Sequence, residues 1–318
     1  MRVRRTIIDD ADLSLFEFDY DLTLMIFFLD AAENIYGRYG GRDSEGPDTR
    51  QSLAGLRYAA EATLKMHDQG TPIKRGRAQP RYIRDFPAAN RQRCVHCHQA
   101  KEIIYDQLRR DGKWSRDLIW RYPLPDRLGL VLEIDRGNVV EQVSPDSPAS
   151  RLGLQAGDVV RSLAEVPIHS FADAQYALDR APPKGTITAR WQREGETLTG
   201  KLDLPAGWRK TDITWRPSMR TVIPSARVYG RDLTAQERQL HGLTATELAF
   251  WQGYPVSSPA KAAGVREGDI ILGFDDKQLE LEAYDFLGFV RRNYLVGDRV
   301  TINLLRDKKR LAIPMTLR

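Results

Sequence analysis

Residues Cys94-Val95-His96-Cys97-His98 bring two thiols and two imidazoles together within five positions. They are the only two cysteines of the chain and two of its five histidines. Thiols separated by two residues sit on one helical turn, where they can add to the two vinyl groups of a haem. The adjacent histidine then reaches the iron. On this chemistry Cys94 and Cys97 attach haem c and His98 is the proximal ligand to the haem iron. Met66, Met219 and the other histidines are candidates for a sixth ligand. Rival chemistries use the same residues. The pair can exchange thiol for disulfide, with Cys94 and Cys97 as the catalytic thiols. It can form half of a zinc site with His98 or His67, or it can be structural.

Such groups need elements to position them. Gln99 to Arg110 reads as a helix that follows the motif directly. Upstream, Lys74, Arg75, Arg77, Arg81, Arg84, Arg91 and Arg93 stand against one acid, Asp85, and Pro72, Pro80 and Pro87 punctuate the stretch. This is a linker or irregular wrap whose arginines suit haem propionates. Further upstream, Arg4 to Ile8, Leu22 to Leu29 and Asn34 to Tyr39 read as strands. Gln51 to His67 reads as a helix, with Leu53, Leu56, Ala60 and Leu64 at helical spacing.

The rest of the chain contains an internal repeat. Ser147-Pro148-Ala149, Gly153-Leu154 and Gly157-Asp158-Val159-Val160 recur 111 residues later as Ser258-Pro259-Ala260, Gly264-Val265 and Gly268-Asp269-Ile270-Ile271. Serine, then proline, starts a short helix with Ser147 or Ser258 as N-cap. Gly153 or Gly264 ends it in the left-handed conformation. Gly-Asp then turns into a buried strand. Each copy continues with a helix (Phe171 to Asp179; Ala283 to Arg291) and a strand pair (Thr186 to Gln192 with Leu198 to Leu202; Arg299 to Leu305 with Arg310 to Met315).

Both segments resemble PDZ domains, most like those of bacterial HtrA-type proteases. The resemblance implies that an extended peptide is added as a strand to a sheet edge, its carboxylate held by a loop of backbone N–H groups. Leu128-Gly129-Leu130 fits that loop, Leu130 to Ile134 the receiving strand, and Arg127 adds charge. In the second copy Gly242-Leu243 is the candidate. Over the whole chain, the Asp12 to Phe16, Asp19 to Thr23, Phe27 to Leu29 and Ile35 to Gly40 segments, then the CVHCHQ segment, then the repeats are similar to the Trx7/PDZ domain-containing (seleno)protein family. That resemblance implies that the N-terminal part is the second half of a thioredoxin-like fold. The strand and helix that carry such a fold's redox pair are missing, so the start is expected to be truncated and a signal peptide lost with it.

Composition sets the outer limits. The 318 residues suffice for two or three domains. The net charge of +5 gives little support to nucleic-acid binding. Two cysteines exclude a disulfide-stapled scaffold, and no apolar run reaches the ~20 residues of a membrane span. Phosphate loops and Gly-x-Ser-x-Gly are absent, and there is no room for the separate domain of an HtrA catalytic triad. Ser258-Pro259-Ala260-Lys261 matches Ser-x-x-Lys but reads as a helix start. His169 and His241 read as solvated surface. The expected fold is a multidomain α+β chain: a truncated thioredoxin-like region (1–72), a basic linker and CxxCH helical segment (73–125), a first PDZ-like β-sandwich or barrel (126–206), a linker (207–238) and a second PDZ-like domain (239–318). The expected function is a redox-linked adaptor of the periplasm or cell envelope, binding proteins through PDZ modules and carrying haem c for electron transfer. A thiol–disulfide exchange protein and a non-catalytic scaffold are the alternatives.

Overall fold

The computed structural model describes residue 8 and residues 10–70, 79–89, 95–275 and 277–318. Cys94, the strand expected at Arg4 to Ile8 (Ile8 excepted) and Lys74, Arg75, Arg77, Arg91 and Arg93 lie outside the described residues. The chain divides into two compact units, Met1–Thr211 and Asp212–Arg318.

The first unit opens with an antiparallel hairpin, β1 (Met25–Leu29) and β2 (Ile35–Gly40). Helix α1 (Leu53–Asp68) starts where the Ser52 hydroxyl accepts the Gly55 N–H at 2.9 Å. Its buried stripe is Gly55, Ala59 and Thr63. The expected apolar face turns outward instead, with Leu53 and Leu64 exposed. Close approach explains the choice: a Cβ on Gly37 of β2 would come within 2.5 Å of the Thr63 methyl, and one on Gly55 within 2.5 Å of the Ile134 carbonyl oxygen. Only small residues at i, i+4 and i+8 allow that packing. Helix α2 (Cys97–Arg110) begins within the cysteine motif and buries Ala100, Ile103 and Tyr105. Its buried Lys101 ammonium lies 3.2 Å from Asp19 and 2.8 Å from Asp21.

The same unit carries the first repeat copy. Strands β3 (Leu130–Leu132) and β4 (Val140–Val143) pair antiparallel. The Ser147 hydroxyl caps α3 (Pro148–Leu152), and Gly153 ends it at φ +87°. Strands β5 (Val159–Leu163), β6 (Val166–Pro167), β7 (Gly185–Arg193) and β8 (Glu196–Leu204) form a sheet of order β6-β5-β7-β8, and α4 (Phe171–Arg180) covers the core. That core gathers Leu128, Leu130, Leu132, Val140, Leu163, Leu178 and Leu202.

The second unit is a single antiparallel sheet of order β13-β12-β11-β10-β9. Its elements are β9 (Gly230–Asp232), α5 (Ala235–Leu240), β10 (Phe250–Gln252), α6 (Ser258–Ala263), β11 (Ile270–Phe274), α7 (Ala283–Asn293), β12 (Arg299–Arg306) and β13 (Lys309–Thr316). Ser258 is the first helical residue of α6 and Ser257 occupies the N-cap, one position earlier than the sequence suggests. The stretch 207–238, expected to be a linker, is built into both units. Trp208 packs into the first core, Ala226 and Val228 enter the second, and β9 closes the second sheet.

The two copies share one clamp. Asp158 takes Arg193 Nε at 2.7 Å while the same guanidinium donates to the Gly153 carbonyl at 2.7 Å. Asp269, Arg306 and Gly264 repeat this with distances of 2.7 and 2.7 Å. The aspartate of each Gly-Asp turn therefore ties the helix end to the last turn of the sheet through a bidentate ion pair.

Candidate functional site

The first candidate site is the outer edge of β3. A short 3-10 turn, Pro125–Leu128, delivers the chain to Gly129 at φ +81°. No other residue fits there, since a Cβ would stand 2.0 Å from the Ser147 hydroxyl oxygen. The Ser144 N–H donates to the Gly129 carbonyl, and the Glu133 N–H to the Val139 carbonyl, both at 2.9 Å. Residues 129, 131 and 133 therefore spend their backbone groups on β4. By the alternation of an antiparallel strand, the N–H and C=O of Leu130 and Leu132 point to the opposite edge, where no strand of the described residues pairs. Leu128, Gly129 and Leu130 thus stand together at the start of this edge. Arg127 is turned to the Lys210 carbonyl at 3.2 Å rather than to the edge.

The second site lies elsewhere than the sequence indicates. Gly242-Leu243 follows α5, in the insertion between β9 and β10. The equivalent of β3 is found through the Gly-Asp turns: the Val140 N–H donates to the Asp158 carbonyl at 2.8 Å, and the Gln252 N–H to the Asp269 carbonyl at 2.7 Å. Val140 faces Leu132, and Gln252 faces Gly230. Counting back, Val228 matches Leu130, Ala226 matches Leu128, and Arg227 matches Gly129. Arg227 is itself left-handed, at φ +59°. The Ser257 hydroxyl donates to its carbonyl at 2.6 Å. The Gly253 N–H donates to the Tyr229 carbonyl at 2.8 Å, so Val228, Gly230 and Asp232 turn their backbone groups to the outer edge. Nothing in the sequence marks this loop, because an arginine holds the place of the glycine.

A buried polar cluster supports the first site. In α4, Ser170 caps the helix and Asp173 is fully buried. Asp173 accepts the Arg38 N–H at 2.9 Å and the His169 N–H at 3.2 Å. The Arg38 guanidinium lies 3.8 Å from Asp173 and 3.6 Å above the Tyr176 ring. Burial raises the Asp173 carboxyl to about 7 against the opposing pull of Arg38. His169 is half-buried rather than solvated; its Nε2 sits 2.8 Å from the Met66 sulfur, and burial lowers it to about 4. His241 is also half-buried, edge-on to Trp251 at 5.6 Å.

Of the cysteine motif, residues 95–98 are described. Cys97 is the first residue of α2, where the helix end would ordinarily favour a thiolate. Here its thiol packs against the cluster that holds Phe18, Val95 and Ile103, and burial pushes it up. His98 is exposed on another face, its ring parallel to that of His96 at 6.4 Å. A haem joined to both needs thiol and imidazole to open on one apolar pocket. Cys97 is turned towards the core and His98 towards water. The sulfur of Met66 lies against His169, and Met219 is buried in the second unit. No group of three or more metal-ligating side chains gathers among the described residues.

Comparison with known proteins assigns the first copy of the repeat. Residues 139–193 match the PDZ domain family. Over 163 residues the chain is 27% identical to the periplasmic serine endoprotease DegP of Salmonella typhimurium, a match covering 49% of this chain and 30% of that protein. It is 26% identical over 146 residues to the periplasmic pH-dependent serine endoprotease DegQ of Escherichia coli, covering 45% and 29%. The chain thus spans about a third of the length of these relatives. Among solved structures it is similar to a serine endoprotease from Yersinia pestis, with 22% identity, a TM-score of 0.25, and 35% of this chain and 36% of that chain covered. A PDZ domain is present, and the C-terminal half resembles those of HtrA-type proteases. These relatives overturn the expected redox-linked adaptor, whether by haem c or by thiol exchange: the proteins that share half of this chain are endoproteases. No helix of the described residues is long and apolar enough to cross a membrane.

Proposed function

We propose that this chain engages extended polypeptide segments in the periplasm as the peptide-recognising part of an HtrA-type proteolytic system. Strand addition at the PDZ edges is the binding mode. One observation carries the reading: in each unit a left-handed residue, Gly129 or Arg227, leads into a short strand whose alternate backbone groups face away from its partner strand. The endoprotease relatives supply the class of partner, a polypeptide rather than a small molecule, and the compartment. The proposal assigns no residue of this chain to peptide-bond hydrolysis. The hairpin β1-β2 followed by α1 has the order in which a thioredoxin-like domain ends, and we keep that likeness as a reading of fold alone.

The test is residue-specific. The full-length chain, labelled with 15N, is titrated with decapeptides ending in free Val, Leu, Ile, Ala or Phe, and with their amidated forms. Amide shifts are expected at Val228, Gly230 and Asp232, with the free-acid peptides binding more tightly. The amides of β13, the far edge of the same sheet, serve as the control. Shifts spread equally over both edges, or none at either, would sink the proposal.

A further inference from the structure

We infer that the peptide edge of the first PDZ domain is latched shut by the chain's own segment 41–55, with Arg50 as the latch. This rests on the strand-addition reading above and concerns the control of that same edge.

The segment fills the space a ligand would need. Gly41 passes so close to α4 that a Cβ would stand 2.7 Å from the Phe171 ring and 3.4 Å from the Gln175 side-chain oxygen. Asp43 then organises a tight turn, accepting Arg50 Nε at 2.7 Å, the Thr49 hydroxyl at 2.7 Å and the Glu45 N–H at 3.0 Å. Arg50 reaches across from this turn. One of its terminal nitrogens donates to the Leu132 carbonyl at 3.2 Å, and its guanidinium lies 5.1 Å from the centre of the Phe171 ring. The Leu132 carbonyl is one of the acceptors that an added strand requires. Beyond the turn, the Ser52 hydroxyl donates to Asp135 at 2.6 Å and the Tyr58 hydroxyl to Asn138 at 2.9 Å. The first bond ties the segment, and the second the helix α1 that follows it, to the loop between β3 and β4.

Charge points the same way. Asp43, Glu45, Asp126 and Arg50 line the pocket that remains beside Leu130, Leu132 and Phe171. Arg50 is already committed to Asp43. A peptide carboxylate entering this pocket meets three carboxylates and no uncommitted cation among its lining residues. The edge therefore takes an external strand only when Arg50 leaves Leu132, and binding there is linked to displacement of the segment. Breaking the Arg50 contacts shifts the closed-to-open balance without altering the strand that receives the ligand.

Arg50→Ala and Arg50→Lys in the full chain test this. Lysine keeps the charge and loses the fork, so it reports on the latch if the alanine variant folds poorly. Amide hydrogen exchange is read at Leu130 and Leu132, followed by titration with the same decapeptide set. The expected result in wild type is peptide shifts at Val228, Gly230 and Asp232 only. In Arg50→Ala, exchange at Leu130 and Leu132 should rise at least tenfold and peptide shifts should appear there. Arg50→Lys should fall between the two. If wild type binds peptide at Leu130 and Leu132 as tightly as Arg50→Ala does, the latch is wrong and strand addition stands. If exchange is unchanged in both variants and neither gains peptide shifts at Leu130 and Leu132, the latch is wrong. If no peptide moves either edge in any variant, the binding reading itself falls and takes the latch with it.

Discussion

Helices α4 and α7 occupy the same place in the two repeat copies but live in different surroundings. Nine of the ten residues of α4 are buried, whereas only Ala283, Phe286 and Val290 of α7's eleven are. Their core-facing positions agree: Ala174 and Leu178 in one stand where Phe286 and Val290 stand in the other. The difference lies on the outer face. There α4 meets β2 and segment 41–55, while α7 shows Tyr284 to solvent. One scaffold thus yields a covered edge in the first unit and an open helix face in the second. On the proposed binding mode, both copies offer a strand edge, and what packs against the helix beside it sets whether that edge is covered.

The third residue of each helix gives the largest expected contrast. Asp173 is fully buried against Arg38, and Asp285 is exposed. Asp173→Ala strands a buried guanidinium and should cost the first unit about 3–5 kcal/mol. Asp285→Ala should stay within about 0.5 kcal/mol, as surface changes do. Chemical denaturation of each variant measures both, and equal losses would erase the distinction between the helices.

The left-handed loop residues should differ next. Gly129→Ala forces a Cβ onto Ser147 at an unfavourable φ, with an expected loss of about 2 kcal/mol. Arg227→Gly relieves a left-handed arginine and should fall within about 1 kcal/mol of wild type. A large loss in Arg227→Gly would show that its side chain, not its backbone, holds the second loop.

The last contrast is pH-dependent and is absent above the ordinary histidine range. Burial depresses His169 to about 4 in the folded chain, against an unfolded value near 6.5. Below 6.5 the unfolded state binds the extra proton, so this residue lowers stability as the pH falls from about 6.5 towards 4. Asp173 works in the opposite sense: its raised folded value favours the folded state as the pH falls from about 7 towards 4. The His169→Leu variant removes only the first effect. Its stability relative to wild type should therefore rise on acidification, by up to about 3 kcal/mol below pH 4. A difference that is flat from pH 7 to 4 would mean that His169 is protonated in the folded chain.

Much of the repeat was legible because its signals are local. Ser147-Pro148 starts a helix, Gly153 ends one and Gly157-Asp158 turns, each through the conformational preferences of a few adjacent residues. The helix over 51–67 was visible as well, but its apolar periodicity named the wrong face. Packing against β2 needed the smallest side chains, and hydrophobicity alone does not rank residues by size. The second loop escaped notice because Arg227 adopts a conformation that its type disfavours, its carbonyl held by the Ser257 hydroxyl from elsewhere in the unit. The cysteine motif misled in the opposite way. Its spacing satisfies haem attachment, yet spacing does not say which side of a helix turns inward.

The sequence by itself determined the doubled Ser-Pro-Ala, Gly, Gly-Asp plan, and with it two cores of one pattern, since caps and turns are decided within a few residues of chain. Only the tertiary structure decided which edges stay open. The pairing of Arg38 with Asp173 and of Arg50 with Leu132 joins residues 135 and 82 positions apart. Contacts at such separation depend on how whole elements pack, and no local pattern records them.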